Sequence, residues 1–308
     1  MALTMRRYQT EEDYWRIRAF LRQVMLLNEV REKSWHVARL DYWRWHGIAN
    51  LGDGQLEQDV YLWETEEGEL ASVLNREEAG SGYLQVDPRH RTRELEEEMV
   101  ALAEERLAVQ REGQRVLSVW ADAEDTLRLD LLQRRGYRRG KWAESQWRRD
   151  LDAPDLDVPL PPGYTVRALG DVDELPARSW ASWKAFHPDA PDEDYEGWEW
   201  YLNIQRCPLY RRDLDLVAVA PEGEIVAFTT VWYDDVTRSA YFEPVGTMPA
   251  HQRRGLARAI LSEGLRRLQR LSARRAFVGG YEPGPNALYS SVLSAEHDRS
   301  EQWVKRWA

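Results

Sequence analysis

The residues best suited to chemistry lie in Val245-Gly246-Thr247-Met248-Pro249-Ala250-His251-Gln252-Arg253-Arg254-Gly255-Leu256-Ala257. A strand-like segment ends near Thr247. Apolar residues then recur at Leu256, Ile260, Leu261 and Leu268, which predicts a helix from about Arg254 to about Leu271. The first turn of such a helix leaves N–H groups unpaired and carries about half a unit of positive charge. Gly255 and Ala257 keep that turn open, and Arg253, Arg254 and Arg258 add charge to it. The chemistry on offer is capture of an anion such as a pyrophosphate. An ordinary helix start with a basic surface cluster is the competing reading of Gln252 to Ala257. The position of the loop, between a β-meander and an amphipathic helix, favours the anion.

The elements that would carry this loop occur twice. Arg7 and Arg167 sit in short opening strands. Trp43 and Trp45 are echoed by Trp198 and Trp200, and the turn Glu67-Gly68-Glu69-Leu70 by Glu222-Gly223-Glu224-Ile225. Pro88 matches Pro249, and the helix face Leu95, Met99, Val100, Leu107 matches Leu256, Ile260, Leu261, Leu268. The matches keep one order at a spacing of roughly 160 residues, which implies duplication. Each half reads as strand, two helices, meander, helix, strand, helix and final strand. That order predicts an α+β (α/β layered) fold in two tandem domains. The expected boundaries are 1–150, a proline-rich linker at 151–163, and 164–308.

The run Gln252-Arg253-Arg254-Gly255-Leu256-Ala257 resembles motif A of the GNAT N-acetyltransferases, and Asn286-Ala287-Leu288-Tyr289 is similar to their motif B. The resemblance implies that each half has a mixed, mostly antiparallel sheet with helices on both faces, and that acetyl-CoA is the cosubstrate. It places backbone groups of Val245, Gly246 and Thr247 along the pantetheine arm, with one N–H polarising the thioester carbonyl. Gln252, Arg253, Arg254, Gly255, Leu256, Ala257 and Arg258 would hold the pyrophosphate. Asn286 would contact the pantetheine or the loop, and Tyr289 would lie near the CoA sulfur and protonate the leaving thiolate. A carboxylate on the strand before the loop would deprotonate the amine, and Glu243 is the candidate. A surface glutamate at a strand edge is the alternative for that residue. The amine would attack the thioester directly, through a tetrahedral intermediate. The family's Gly-Phe ending of motif B falls here on Leu293-Ser294, which puts the acceptor side of this half in question. The tandem arrangement is also similar to that of mycothiol synthase-type proteins.

In the first half, Glu94 and Glu96 stand where Gly255 and Ala257 stand in the second. Thr92 is an N-cap candidate, Leu132 replaces the tyrosine, and Gly82 replaces Glu243. Gly136-Tyr137 keeps the motif B ending. This half is expected to be a non-catalytic partner that shapes the acceptor cleft, with binding of another ligand as the competing reading.

Composition bounds the partners. The chain has 308 residues, 43% hydrophobic and 31% charged, with net charge −11. That average field disfavours nucleic acid, and no apolar run reaches the length of a membrane span. The start, Met1 to Arg7, lacks a secretory stretch. A single cysteine, Cys207, fits a reducing cytoplasm and no structural metal. The expected acceptor is a small-molecule amine, met by Trp183, His187, Trp198, Tyr201, Trp232, Asp234 and Asp235, in a monomer or homodimer. Two rival readings are a non-enzymatic CoA-binding or regulatory protein and a protein-lysine acetyltransferase.

Overall fold

The computed structural model describes residues 3–153, 158–294 and 296–307. Residues 154–157, within the expected linker, lie outside the described residues. The first pass along the chain runs β1 (Thr4–Arg7), α1 (Glu11–Leu27), α2 (Val37–Tyr42), α3 (Ala49–Leu51), α4 (Leu56–Asp59), β2 (Val60–Glu64), β3 (Leu70–Asn75) and β4 (Ser81–Val86). It continues with α5 (Arg93–Arg106), β5 (Val109–Arg111), β6 (Gln114–Asp122), α6 (Thr126–Arg134) and β7 (Arg138–Asp150). The second pass runs β8 (Thr165–Ala168), α7 (Leu175–Phe186), α8 (Tyr201–Ile204), β9 (Asp215–Val219), β10 (Ile225–Asp234) and β11 (Ser239–Thr247). It ends with α9 (Leu256–Arg270), β12 (Arg275–Gly280), α10 (Pro283–Val292) and β13 (His297–Trp307). Both helix faces read from periodicity are buried: Leu95, Met99 and Val100 on α5 with Leu107 at its C-cap, and Leu256, Ile260, Leu261 and Leu268 on α9.

The chain forms two units. In the first (Met1–Gln146 with His297–Ala308) the strand order is β1-β2-β3-β4-β6-β13-β7, with β5 beside β6. The β4/β6 pair is parallel, with rungs at Ser81–Ser118 and Gly82–Val119. Its core gathers Trp63, Leu74, Leu84, Met99, Leu117, Val119, Leu132 and Trp303. In the second unit (Trp147–Glu296) the order is β12-β11-β10-β9-β8, with the end of β7 beside β12. There β8/β9, β9/β10 and β10/β11 are antiparallel and β11/β12 is parallel.

The unit boundaries differ from the expected 1–150 and 164–308. Strand β13 follows the second repeat in sequence but joins the first unit, where it pairs with β6 from Ser300–Asp122 to Trp307–Arg115. Trp303 enters that unit's core, and Lys305 Nζ reaches Glu104 Oε1 at 2.9 Å. Trp147 to Asp150 of β7 belong instead to the second unit, where Asp150 accepts from Arg275 Nε at 2.5 Å. Alternation along a strand reveals which face is apolar and does not reveal which edge it joins.

The second unit is layered on both faces of its sheet. Phe228 of β10 meets Phe186 of α7 edge-on, with ring centroids 6.0 Å apart. On the other face Gly264 of α9 comes so close that a Cβ there would stand 2.5 Å from Phe242 of β11 and 3.4 Å from Val231 of β10. The alternation of side chains along β10 separates these two contacts. Among the described residues, no helix is long and apolar enough to cross a membrane.

Candidate active site

The loop between β11 and α9 is built around two left-handed residues, Arg253 (φ 64°) and Gly255 (φ 81°). Gly255 is the N-cap of α9, which begins at Leu256, two residues later than expected, and no side chain caps it. The backbone N–H groups of residues 253–258 have no hydrogen-bond acceptor among the described residues. Such a run of unclaimed donors at a helix start is able to receive an anion. The guanidinium groups of Arg253 and Arg258 are exposed and make no ion pair or hydrogen bond among the described residues. Arg254 is committed locally: Nη1 donates to the Tyr164 hydroxyl at 2.9 Å and Nη2 to the Ala250 carbonyl at 3.2 Å. Gln252 closes the loop by donating from Nε2 to the Thr247 carbonyl at 3.2 Å. The loop therefore offers donors and two free cations, which fit a diphosphate. Ala257 and Leu256 form the first turn of α9, Leu256 pointing into the core.

Approaching this loop, β11 leaves its parallel neighbour. Rungs with β12 run from Ser239–Arg275 to Tyr241–Phe277, although β11 continues to Thr247 and β12 to Gly280. The two strands thus separate beyond Tyr241. On its other side β11 stays with β10, where Val231 pairs with Phe242 and Thr229 with Val245. Thr230 therefore faces both Glu243 and Pro244, and the bulge re-aims Glu243. Further on, Gly246 lies directly against Phe228, and a Cβ there would stand 2.2 Å from Phe228 Cζ. Val245, Gly246 and Thr247 all lie on this separated segment and are half-buried.

The two expected catalytic side chains share one neighbourhood. Tyr289 of α10 is buried, and burial first, then the charge of Glu243, pushes its hydroxyl up to about 12. That hydroxyl has no hydrogen-bond partner among the described residues. Glu243 is half-buried. Asn286 Oδ1 accepts from the Trp147 indole Nε1 at 2.8 Å, which leaves its NH2 able to donate elsewhere. Gly280 lets α10 press onto β12, since a Cβ there would be 2.2 Å from Asn286 Oδ1 and 3.1 Å from Tyr289 Cδ2.

The expected acceptor residues divide. Trp183 is half-buried and His187 exposed, and they form a stack with Trp180, at 5.7 Å and 5.5 Å between centroids. Trp198 is half-buried in the turn before α8, its backbone N donating to Glu199. Three residues are structural instead. Tyr201 is buried and donates to Asp215 Oδ2 at 2.6 Å. Trp232 is buried and its Nε1 donates to the Glu243 carbonyl at 2.6 Å, fastening the bulge. Asp234 is buried and accepts from Thr237 N at 3.0 Å and Oγ1 at 2.8 Å, so it stabilises a turn. Asp235 beside it is exposed. Sequence reasoning missed Trp147, Gly280 and Phe228. The Gly279-Gly280 pair at a strand end was the only local signal among them.

The corresponding start in the first unit is closed. Thr92 Oγ1 accepts from Leu95 N at 3.2 Å, as its N-cap reading predicts. Glu96 is fully buried between Arg128, at 3.0 Å from each carboxylate oxygen, and Arg91, at 2.6 Å. Burial alone would raise its carboxyl, but the two guanidiniums hold it down at about 2. Arg91 also grips Asp125 at 2.6 Å. These cations are neutralised from within. Among the described residues, neither unit gathers three or more His, Cys, Asp or Glu side chains able to hold a metal.

Residues 173–289 match the model of the acetyltransferase (GNAT) family. Solved structures share the fold over nearly the whole chain. A GCN5-related N-acetyltransferase from Sphaerobacter thermophilus is 21% identical, with TM-score 0.66, over 99% of this chain and 95% of that one. A tandem GNAT protein from the clavulanic acid biosynthesis pathway is 14% identical, with TM-score 0.66, over 99% and 98%. A GNAT-family acetyltransferase from Colwellia psychrerythraea is 11% identical, with TM-score 0.58, over 97% and 99%. At these identities the likeness is one of fold. No curated protein matches the chain.

Proposed function

We propose that this chain, a tandem GNAT-fold acyltransferase whose second unit carries a GNAT-family acetyltransferase domain, moves the acetyl group of acetyl-CoA to the amine of a small molecule. The observation that carries the reading is the start of α9, where among the described residues no side chain caps the helix, six consecutive N–H groups are unclaimed and two arginines are unpaired. A diphosphate seated there would point the pantetheine arm along the separated edge of β11.

A backbone N–H between Val245 and Thr247 faces the thioester carbonyl and stabilises the charge that develops on its oxygen. Glu243, re-aimed by the bulge, takes the proton of the ammonium, so that the free amine can attack. The C–N bond forms, the tetrahedral intermediate collapses with breakage of the C–S bond, and the second proton that the attacking nitrogen sheds goes to the leaving thiolate. Tyr289 then faces the leaving sulfur. Its hydroxyl stands at about 12, against about 8.5 for an ordinary thiol. Outright proton transfer would be uphill by about 5 kcal/mol, so Tyr289 acts by donating a hydrogen bond. The first unit, with its cations already neutralised, serves as a non-catalytic partner.

Titration calorimetry with acetyl-CoA, paired with a thiol-release assay over a panel of small amines and lysine peptides, tests the reading. Binding at one site per chain with turnover of small amines supports it. Binding without turnover of any amine would favour a CoA-binding regulator, and turnover of peptides alone a protein-lysine acetyltransferase.

A further inference from the structure

The second unit holds a buried cation that the reaction above does not use. Arg178, on α7, is 0% exposed. Its Nε, Nη1 and Nη2 have no hydrogen-bond partner among the described residues. The nearest carboxylate oxygen, Asp215 Oδ1, lies 3.7 Å from Nε, an ion-pair separation beyond hydrogen-bond reach. Asp215 is itself engaged, with Oδ2 accepting from Tyr201 at 2.6 Å and Tyr210 at 3.0 Å. The guanidinium is otherwise flanked by rings, 3.9 Å from the centroid of Phe228 and 4.9 Å from that of Tyr201. A guanidinium has five N–H donors, and leaving them unmet away from water costs several kcal/mol.

The duplication supplies an internal comparison. On α1 the place that matches Arg178 is taken by Ile17, since the buried positions Tyr14, Ile17, Arg18, Phe20 and Leu21 overlie Leu175, Arg178, Ser179, Ala181 and Ser182; the next residue, Arg18, is buried too, at 4% exposure. Its Nε and Nη2 grip Asp41 Oδ1 and Oδ2 at 2.8 Å and 3.0 Å. A buried arginine on this helix is thus gripped by a carboxylate in the first unit, whereas Arg178 has only the 3.7 Å ion pair with Asp215.

We propose that Arg178 receives a carboxylate of the acceptor, so that the substrate is an amine that also carries a carboxylate, as an amino acid does. The inference rests on the transferase reading above. The ring under the guanidinium, Phe228, is the one against which Gly246 lies. A carboxylate forked by Arg178 and an amine a few bonds away would thus fall about one ring's width from the separated edge of β11, where the thioester would run. Phe186, 52% exposed, lies edge-on to the same Phe228 ring.

The test compares amines that differ only at the carboxylate: a free amino acid, its methyl ester and its decarboxylated amine. Thiol release is measured for the wild type, Arg178→Met and Arg178→Lys, and acetyl-CoA affinity by calorimetry. The wild type should favour the free acid by about 100-fold in kcat/KM. Arg178→Met should remove that preference through a raised KM for the acid, with acetyl-CoA affinity unchanged, and Arg178→Lys should restore part of it. Equal kcat/KM for acid and ester in the wild type would overturn the proposal, and that comparison stands even if Arg178→Met does not fold. A preference that survives in Arg178→Met would overturn it too. Thiol release from no amine at all would instead overturn the transferase reading, and this inference with it.

Discussion

Replacing Gly255 by alanine and by glutamate separates two effects that the loop combines. A Cβ at Gly255 meets nothing within 4 Å, so neither residue is blocked by a neighbour. Both must adopt the left-handed backbone at φ 81°, which costs a non-glycine residue about 1–2 kcal/mol. That strain should lower the melting temperature of both variants by roughly the same few degrees. Only glutamate adds a charge. A carboxylate about 5 Å from a phosphate charge, at an effective dielectric of about 20, is repelled by about 3 kcal/mol. Gly255→Ala should therefore weaken acetyl-CoA binding by less than about ten-fold, and Gly255→Glu by about 100-fold. Calorimetry at two salt concentrations gives the check, since the difference between the variants must shrink as salt screens it. Equal losses in the two variants would show that backbone shape and not charge governs the site. An unchanged Kd in Gly255→Glu would refute diphosphate binding at this helix start.

Further outcomes follow from the site and from its closed counterpart. Glu243→Gln should cut kcat/KM by about 10²–10⁴-fold while leaving acetyl-CoA affinity intact, and a loss of binding instead would place Glu243 outside the proton path. Tyr289→Phe removes a hydroxyl with no internal partner, so its melting temperature should hold while kcat falls by about 5–30-fold. A drop in melting temperature would show the hydroxyl to be structural. Glu96→Gln should destabilise by about 3–5 kcal/mol, because it leaves buried Arg128 without its carboxylate. The wild-type carboxyl is held at about 2 in the fold against an ordinary 4.5, so its stabilisation is complete above 4.5 and disappears as pH falls toward 2. Melting curves across that window should converge for wild type and Glu96→Gln, and parallel curves would contradict the ion cluster.

What sequence revealed and what it concealed follow from the range of the interactions involved. The form of the loop before α9 was legible because its parts are neighbours in the chain: a strand end, a left-handed glycine, an amphipathic helix and three arginines within a few residues. The contrast between Gly255 and Glu94 was legible because the repeat aligned them. The assignment of β13 was not, because its partner β6 is remote in sequence and His297 to Trp307 would suit either sheet. Tyr201, Trp232 and Asp234 looked like pocket residues by type, yet each found a nearby partner that draws it into the core or a turn. Asn286 was identified by its motif, but Trp147, which occupies its oxygen, arrives from β7. Arg178 gave no signal because an arginine on a helix ordinarily faces water, and only the packing of α7 on β10 shows that this one does not.

The membership of β13 in the first unit has a consequence for synthesis. That unit emerges from the ribosome with a vacant slot between β6 and β7, and the strand that fills it follows only after roughly 150 further residues, a delay on the order of ten seconds. Until then two strand edges lie open to neighbouring nascent chains. The half of the protein made earliest is thus the last to close.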